Sequence, residues 1–234
     1  MVFLYSDYII TPLGEGIDAN LRAIEQGRTK LQRHSTVHGE SLVTPAMTSI
    51  IDETKYLIDG YTLFESLCIK AIEGAKGAND LSDDRCIFVL SSTKADIWTP
   101  MAVTAKHIAS YFGNESEPIV VSNACTSGVS AQLTAYRLIE SGLCDKVVVV
   151  GCDVQCEFIV SGFQSFHALS DEQCKPFDAK RDGLNAGEAA ACMILGNSGH
   201  GWRLMGGSIH NDANHISGPS RTGEGSYNCL RSVL

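Results

Sequence analysis

The sequence predicts an α/β fold with a parallel or mixed sheet covered by helices, and three observations carry that prediction. Cys86–Leu90 is a short, continuously apolar run that suits a strand buried on both faces, and Lys146–Val150, four valines after a lysine, reads as a further buried strand. Segments with helical spacing alternate with such runs, as at Tyr61–Gly74 and Pro100–Phe112. Hydrophobic residues make up 44% of the 234 positions and charged residues 19%, which supports a substantial core in one large domain or two small ones.

The elements follow in order along the chain. Val2–Ile10 alternates weakly and reads as a strand. Asp18–Gln26 reads as a helix with Leu21, Ala23 and Ile24 towards one side, and in Tyr61–Gly74 Leu63, Leu67, Lys70 and Ala71 fall at helical spacing. Pro118–Ser122 is a short strand leading into Asn123–Gly128 and a helix to about Ser141, which Gly142 stops. Cys174–Gly187 is polar and turn-rich, and Glu188–Leu195 returns to small apolar residues. Trp202–His210 reads as a strand, Gly218–Gly225 as a loop and Ser226–Leu234 as the start of a helix. No repeat of 20–50 residues is present.

Composition removes several function classes. The net charge of −9 disfavours broad binding to nucleic acid or anionic membrane. No apolar run approaches the roughly 20 residues of a membrane span. The N-terminus lacks a basic region and a cleavage site, so a cytoplasmic protein is expected. Nine cysteines, odd in number and scattered, indicate reduced thiols rather than a disulfide framework. Cys152 and Cys156 are four apart, but no second pair completes a zinc site, and neither a metal nor a cofactor is expected.

Cys125 lies between an apolar strand and a helix, among Ala124, Thr126, Ser127 and Gly128. A sharp strand-to-helix turn would put it at a helix N-terminus, where backbone N–H groups and the helix dipole favour an anion. That context parallels the nucleophile elbow of hydrolases, with sulfur replacing oxygen. It leaves a second reading about level, a buried structural thiol.

Five motifs in order separate the two readings. Asn123-Ala124-Cys125-Thr126-Ser127-Gly128 is followed by Val147–Asp153, Gly162-Phe163 with Ala168-Leu169-Ser170, and Lys175-Pro176-Phe177-Asp178 with Arg181-Asp182-Gly183 and Gly187-Glu188-Ala189-Ala190; Asp212–Ser217 closes the series. Together they resemble the N-terminal half of the β-ketoacyl-carrier-protein synthases. The resemblance implies a thiolase-like fold whose N-terminal half is a five-stranded mixed sheet covered by helices. Residues 1–234 would then be a single N-terminal synthase domain, in which the residues after about 200 begin the crossover to a C-terminal half missing from this chain. It also implies a homodimer, with the strand before the nucleophile at the interface.

The implied reaction is a decarboxylative Claisen condensation of fatty acid, polyene or polyketide synthesis. Cys125 would take the acyl group from an acyl carrier protein or coenzyme A thioester, and its backbone N–H would help hold the oxyanion. Phe163 matches an aromatic gate of the acyl tunnel and reads equally as a core residue. His215 and Ser217 would line the phosphopantetheine channel, with surface loop residues as the alternative. The basic residue expected before Ala-Leu-Ser, which holds the carrier's phosphate, is His167 here. Lys70, Lys76 and Lys106 are further carrier candidates, against ordinary solvated lysines. Asp178, Arg181 and Asp182 read as a structural ion-pair network, and Glu188 as an inward carboxylate that must be paired.

The family also uses two histidines from its C-terminal half, one of them in a His-Gly-Thr box. Here His38-Gly39 and His200-Gly201 are followed by glutamate and tryptophan, so the catalytic pair is expected outside this chain. The alternatives are a non-catalytic partner subunit of a synthase heterodimer, which usually lacks the cysteine, and a non-decarboxylating thiolase-type acyltransferase.

Overall fold

The computed structural model describes residues 1–212, 218 and 220–234. Among them, ten strands and six helices succeed one another. The chain opens with strands β1 (Val2–Thr11) and β2 (Gly14–Glu15), helix α1 (Gly16–Glu25), strands β3 (Gln32–Val37) and β4 (Glu40–Ser49), and helix α2 (Leu63–Lys76). Then come β5 (Cys86–Ser91), α3 (Met101–Tyr111), β6 (Ile119–Val121), α4 (Ser127–Glu140) and β7 (Lys146–Asp153). The last elements are α5 (Glu157–Ser165), β8 (Ala186–Gly187), β9 (Ala189–Gly196), β10 (Arg203–Leu204) and α6 (Glu224–Arg231).

These elements divide into two compact units, one of residues 1–7, 75–151 and 192–234, the other of residues 8–74 and 152–191. The larger sheet is ordered β10-β1-β9-β7-β5-β6, with β2 paired to β1. Its body is the five strands β1, β9, β7, β5 and β6, and the two-residue strands β10 and β2 are appended to β1. β5 runs parallel to both β6 and β7, whereas β1 runs antiparallel to β10, so the sheet is mixed.

In the first unit, α4 lays Ala131, Ala135 and Ile139 against Val89, Val147 and Val149 of the sheet, and Val2, Cys144 and Leu195 complete the cluster. Alanines every fourth residue let the helix approach the valine surface closely, and burial of each valine contributes roughly 1.5–3 kcal/mol. Gly196 ends β9 where a Cβ would fall inside the Tyr5 ring, so only glycine fits. α4 ends as expected: Gly142 (φ 74°) and Leu143 donate back to Ile139 and Leu138 in a left-handed helix cap.

The second unit carries a sheet ordered β3-β4-β8. Its small core joins Val37, Leu42 and Ala46 to Val160 of α5. β3 reads Gln-Arg-His-Ser-Thr-Val and has no apolar alternation, which hid it in the sequence. Its turn to β4 is tight: His38 (φ 44°) and Gly39 (φ 82°) form a two-residue hairpin loop with both residues left-handed.

The structure corrects three local expectations. Trp202–His210 is strand only at Arg203–Leu204, because Gly201 (φ 108°) and Gly206 (φ 146°) take conformations an extended run does not use. The last helix starts at Glu224 rather than Ser226, after Gly223 (φ 67°). Gly162-Phe163, which the family resemblance puts in a loop with Ala168-Leu169-Ser170, lies on α5 and is helical as far as Ser165, with Ser161 donating to the Glu157 carboxylate one turn earlier (2.7 Å).

Candidate functional site

In the first unit, β6 rises to Ser122 and the chain turns sharply at Asn123–Thr126 into α4. Ala124 sits at φ 46°, a left-handed conformation that costs a non-glycine residue of order 1–3 kcal/mol. The Ser127 hydroxyl holds this elbow. It accepts the Asn123 N–H (2.8 Å) and donates to the Ala124 carbonyl (2.6 Å). Thr126 closes the turn with its N–H (3.1 Å) and its hydroxyl (2.9 Å), both donated to the Asn123 carbonyl. The Asn123 amide reaches forward to Ser130 (3.1 Å).

The elbow pushes Cys125 out. It is the exposed thiol among the nine, with Cys174 and Cys229 half-buried and the other six buried. Burial pushes Cys86 up to about 12 and raises Cys192 and Cys144 as well, so those thiols stay protonated at neutral pH. A Cβ on Gly128 would meet nothing within 4 Å, so the space over the start of α4 is open. An exposed sulfur beside the first turn of a helix, where backbone N–H groups lack intrahelical partners, can attack a carbonyl.

The second unit carries two of the other motifs, Gly162-Phe163 with Ala168-Leu169-Ser170 and the run from Lys175 to Ala190. Ala168–Ser170 and Asp182–Leu184 lie side by side: Ser170 N–H donates to the Leu184 carbonyl and Leu184 N–H to the Ala168 carbonyl, each at 2.9 Å. Ser170 also donates to the Asp182 carboxylate (2.9 Å). Gly183 (φ 150°) brings its backbone so close that a Cβ would stand 2.7 Å from the Ser170 nitrogen, which explains glycine in Arg181-Asp182-Gly183. The expected ion-pair network of Asp178, Arg181 and Asp182 does not form among the described residues. Arg181 donates to the Asp178 carbonyl (2.9 Å) instead, and Asp182 is taken by Ser170.

His167 follows α5 at φ 52°, where its N–H and that of Ala168 cap the helix by donating to Gln164 and Phe163. The cap leaves the imidazole exposed, on a groove of about 500 Å³ that Gln164, Ser170 and Asp182 also line. Phe163 is half-buried one turn earlier on the same helix. Lys70 lies on α2 with its ammonium 2.8 Å from the Glu73 carboxylate. His215 and Ser217 fall outside the described residues.

Glu188 is paired as an inward carboxylate must be, by groups that sequence reasoning did not assign to it. One oxygen accepts the Gln155 N–H (2.7 Å) and meets His38 Nε2 (2.6 Å), and the other accepts the Ile51 N–H (2.7 Å). His38 Nδ1 lies 2.9 Å from Glu53. The Glu188 hydrogen bond, aided by Glu53, raises His38 above its usual range against the opposing effect of burial. Among the described residues, no group of three or more His, Cys, Asp or Glu side chains is arranged to hold a metal ion.

Residues 82–199 match the family model for the β-ketoacyl synthase N-terminal domain. The 3-oxoacyl-[acyl-carrier-protein] synthase 2 of Rhizobium meliloti is 33% identical over 130 residues, 49% of this chain and 31% of that protein. The mitochondrial 3-oxoacyl-[acyl-carrier-protein] synthase of Arabidopsis thaliana is 29% identical over 144 residues, 55% of this chain and 31% of that protein. The chain thus aligns with about a third of the length of these curated relatives. Among solved structures, a ketosynthase in complex with its chain length factor from Xenorhabdus doucetiae superposes with a TM-score of 0.83 at 20% identity, covering 99% of this chain and 68% of that one. A ketosynthase from module 6 of the bacillaene synthase of Bacillus subtilis gives 0.80 at 15% identity, covering 99% and 48%. These neighbours share the thiolase-like fold, and the chain belongs to the β-ketoacyl synthase family, whose N-terminal domain it carries.

Proposed function

We propose that Cys125 is the acyl-accepting nucleophile of a condensing enzyme. One observation carries this reading: the exposed thiol of the chain stands on a strained elbow at the head of α4. The Cys125 thiolate attacks the carbonyl of an acyl thioester, and the donor's thiolate leaves. A malonyl thioester then loses carbon dioxide, and its carbanion attacks the acyl-enzyme. The C–S bond to Cys125 breaks, the thiolate is regenerated, and a β-ketoacyl thioester two carbons longer departs. Sulfur suits both halves, being a good nucleophile and a good leaving group. The Cys125 N–H stabilises each oxyanion, and the histidine pair for decarboxylation comes from outside residues 1–234. In any form that condenses, Cys125→Ala should abolish both acyl-enzyme and product. Condensation at the parent rate in that variant would refute the assignment.

The acyl donor in this reading is an acyl carrier protein. One solved relative is a type II polyketide synthase acyl-carrier protein in complex with its ketosynthase. In this reading exposed His167 is the carrier-facing group and Phe163 the gate of the acyl tunnel, while Lys70 is paired with Glu73. His167→Arg should lower the carrier KM by roughly threefold to tenfold and make it more salt-sensitive. An unchanged KM at every salt concentration would place the carrier elsewhere.

The edge strand β6 supports a homodimer. It ends the sheet order, and its residues Ile119, Val120 and Val121 are half-buried rather than charged. Such an edge is a template for another strand. Val120→Lys would set like charges against each other across a two-fold pairing and should weaken the dimer about tenfold in sedimentation equilibrium. A dimer of unchanged affinity would move the interface off β6.

A further inference from the structure

We propose that the second unit binds a small phosphate monoester, a dianion, in an open basic pocket lined by the β1–β2 turn, the segment before β3, the start of β3 and residues 50–56. The cavity measures about 490 Å³ and all of its lining residues belong to that unit. That volume suits a small molecule rather than a protein surface. The proposal does not depend on the acyl-transfer reading.

The sequence builds the pocket by alternation. Arg28, Lys30, Gln32 and His34 are spaced two apart, and side chains at that spacing share one side of an extended chain. All four line the cavity, and Lys55 faces them from the turn. Arg33, between Gln32 and His34, does not line it and pairs instead with Asp171 (3.1 Å). The one arginine of this stretch outside the pocket is neutralised, whereas Arg28, Lys30 and Lys55 make no side-chain hydrogen bond or ion pair among the described residues.

Charge fixes the ligand class. Asp52 is the carboxylate of the lining, and its oxygen is occupied by the Thr54 N–H (3.2 Å) and hydroxyl (2.7 Å). Three cations against one carboxylate leave a surplus of two positive charges, in a chain whose net charge is −9. A phosphate monoester carries about two negative charges above its second pKa near 6 and offers three acceptor oxygens to lysine and arginine donors. Half-buried Ile50 adds apolar lining for the group esterified to the phosphate.

The test is an NMR titration of the whole chain at pH 7.5 with phenyl phosphate, with benzyl alcohol and diethyl phosphate as the neutral and monoanionic comparators. Phenyl phosphate should give saturable shifts at the amides of residues 28, 30 and 55. Its affinity should exceed that of either comparator by roughly tenfold, and should fall by a similar factor between 50 and 300 mM salt. The variant Arg28→Gln/Lys30→Gln/Lys55→Gln alters exposed side chains only and should lose at least about tenfold in affinity. No saturable shift, a comparator that binds as tightly, or indifference to salt would overturn the proposal. The salt series on the parent decides the matter even if the triple variant does not fold.

Discussion

Glu188→Ala should lower the stability of the chain by about 3–5 kcal/mol, a large part of the 5–15 kcal/mol that holds a typical domain together. The Glu188 side chain is fully buried and serves three donors, the N–H groups of Ile51 and Gln155 and the His38 ring. Removing it takes away the one carboxylate on which these three donors converge. The same cluster gives stability a pH dependence. His38 is raised above its ordinary 6.5 in the folded chain, chiefly by its hydrogen bond to Glu188. The folded state therefore holds a proton that the unfolded state has released, over the window from 6.5 up to the raised value. The stability due to this proton is full below pH 6.5 and is lost as pH climbs through that window. Urea unfolding of the parent should show a decline in stability over that window, and Glu188→Gln should flatten it. A parent whose stability is flat or rising there would mean that His38 is not held protonated by Glu188.

Cys125→Ala should remove the fast-reacting thiol from the native protein without disturbing its melting temperature. The parent should take up one equivalent of iodoacetamide quickly at pH 7.5, because Cys125 is exposed while most of the other cysteines are buried. Buried Cys86, pushed up from 9.0 to about 12, has a thiolate fraction lowered about a thousandfold, and solvent does not reach it. Rapid labelling of one thiol in the alanine variant would show a second accessible cysteine and remove the selectivity on which the site rests.

The sequence and the structure agree most closely where the signal is local. The strand–elbow–helix unit around Cys125 was legible because an apolar run, a cluster of small residues and Gly142 all fall within one stretch of chain. The left-handed Ala124 was not, because nothing in Ala124 itself announces a positive φ. The Ser127 staple was open to inference, since a hydroxyl in the first turn of a helix commonly bonds backbone nearby. The His38–Glu188 pair was not, for the two residues are 150 positions apart and each is unremarkable alone. β3 escaped because its polar residues carry no period-two apolar signal, and its identity rests on pairing with β4. The glycine of Arg181-Asp182-Gly183 was visible as a motif, but its cause, the close passage of Ser170, is a tertiary fact.

The most direct test of the nucleophile is to incubate the chain with a hexanoyl-N-acetylcysteamine thioester, record its intact mass, and map the adduct by peptide mass spectrometry. The account predicts a single hexanoyl group on the peptide that contains Cys125. A protein that stays unmodified, or that carries the acyl group on another cysteine while Cys125 remains free, would contradict it.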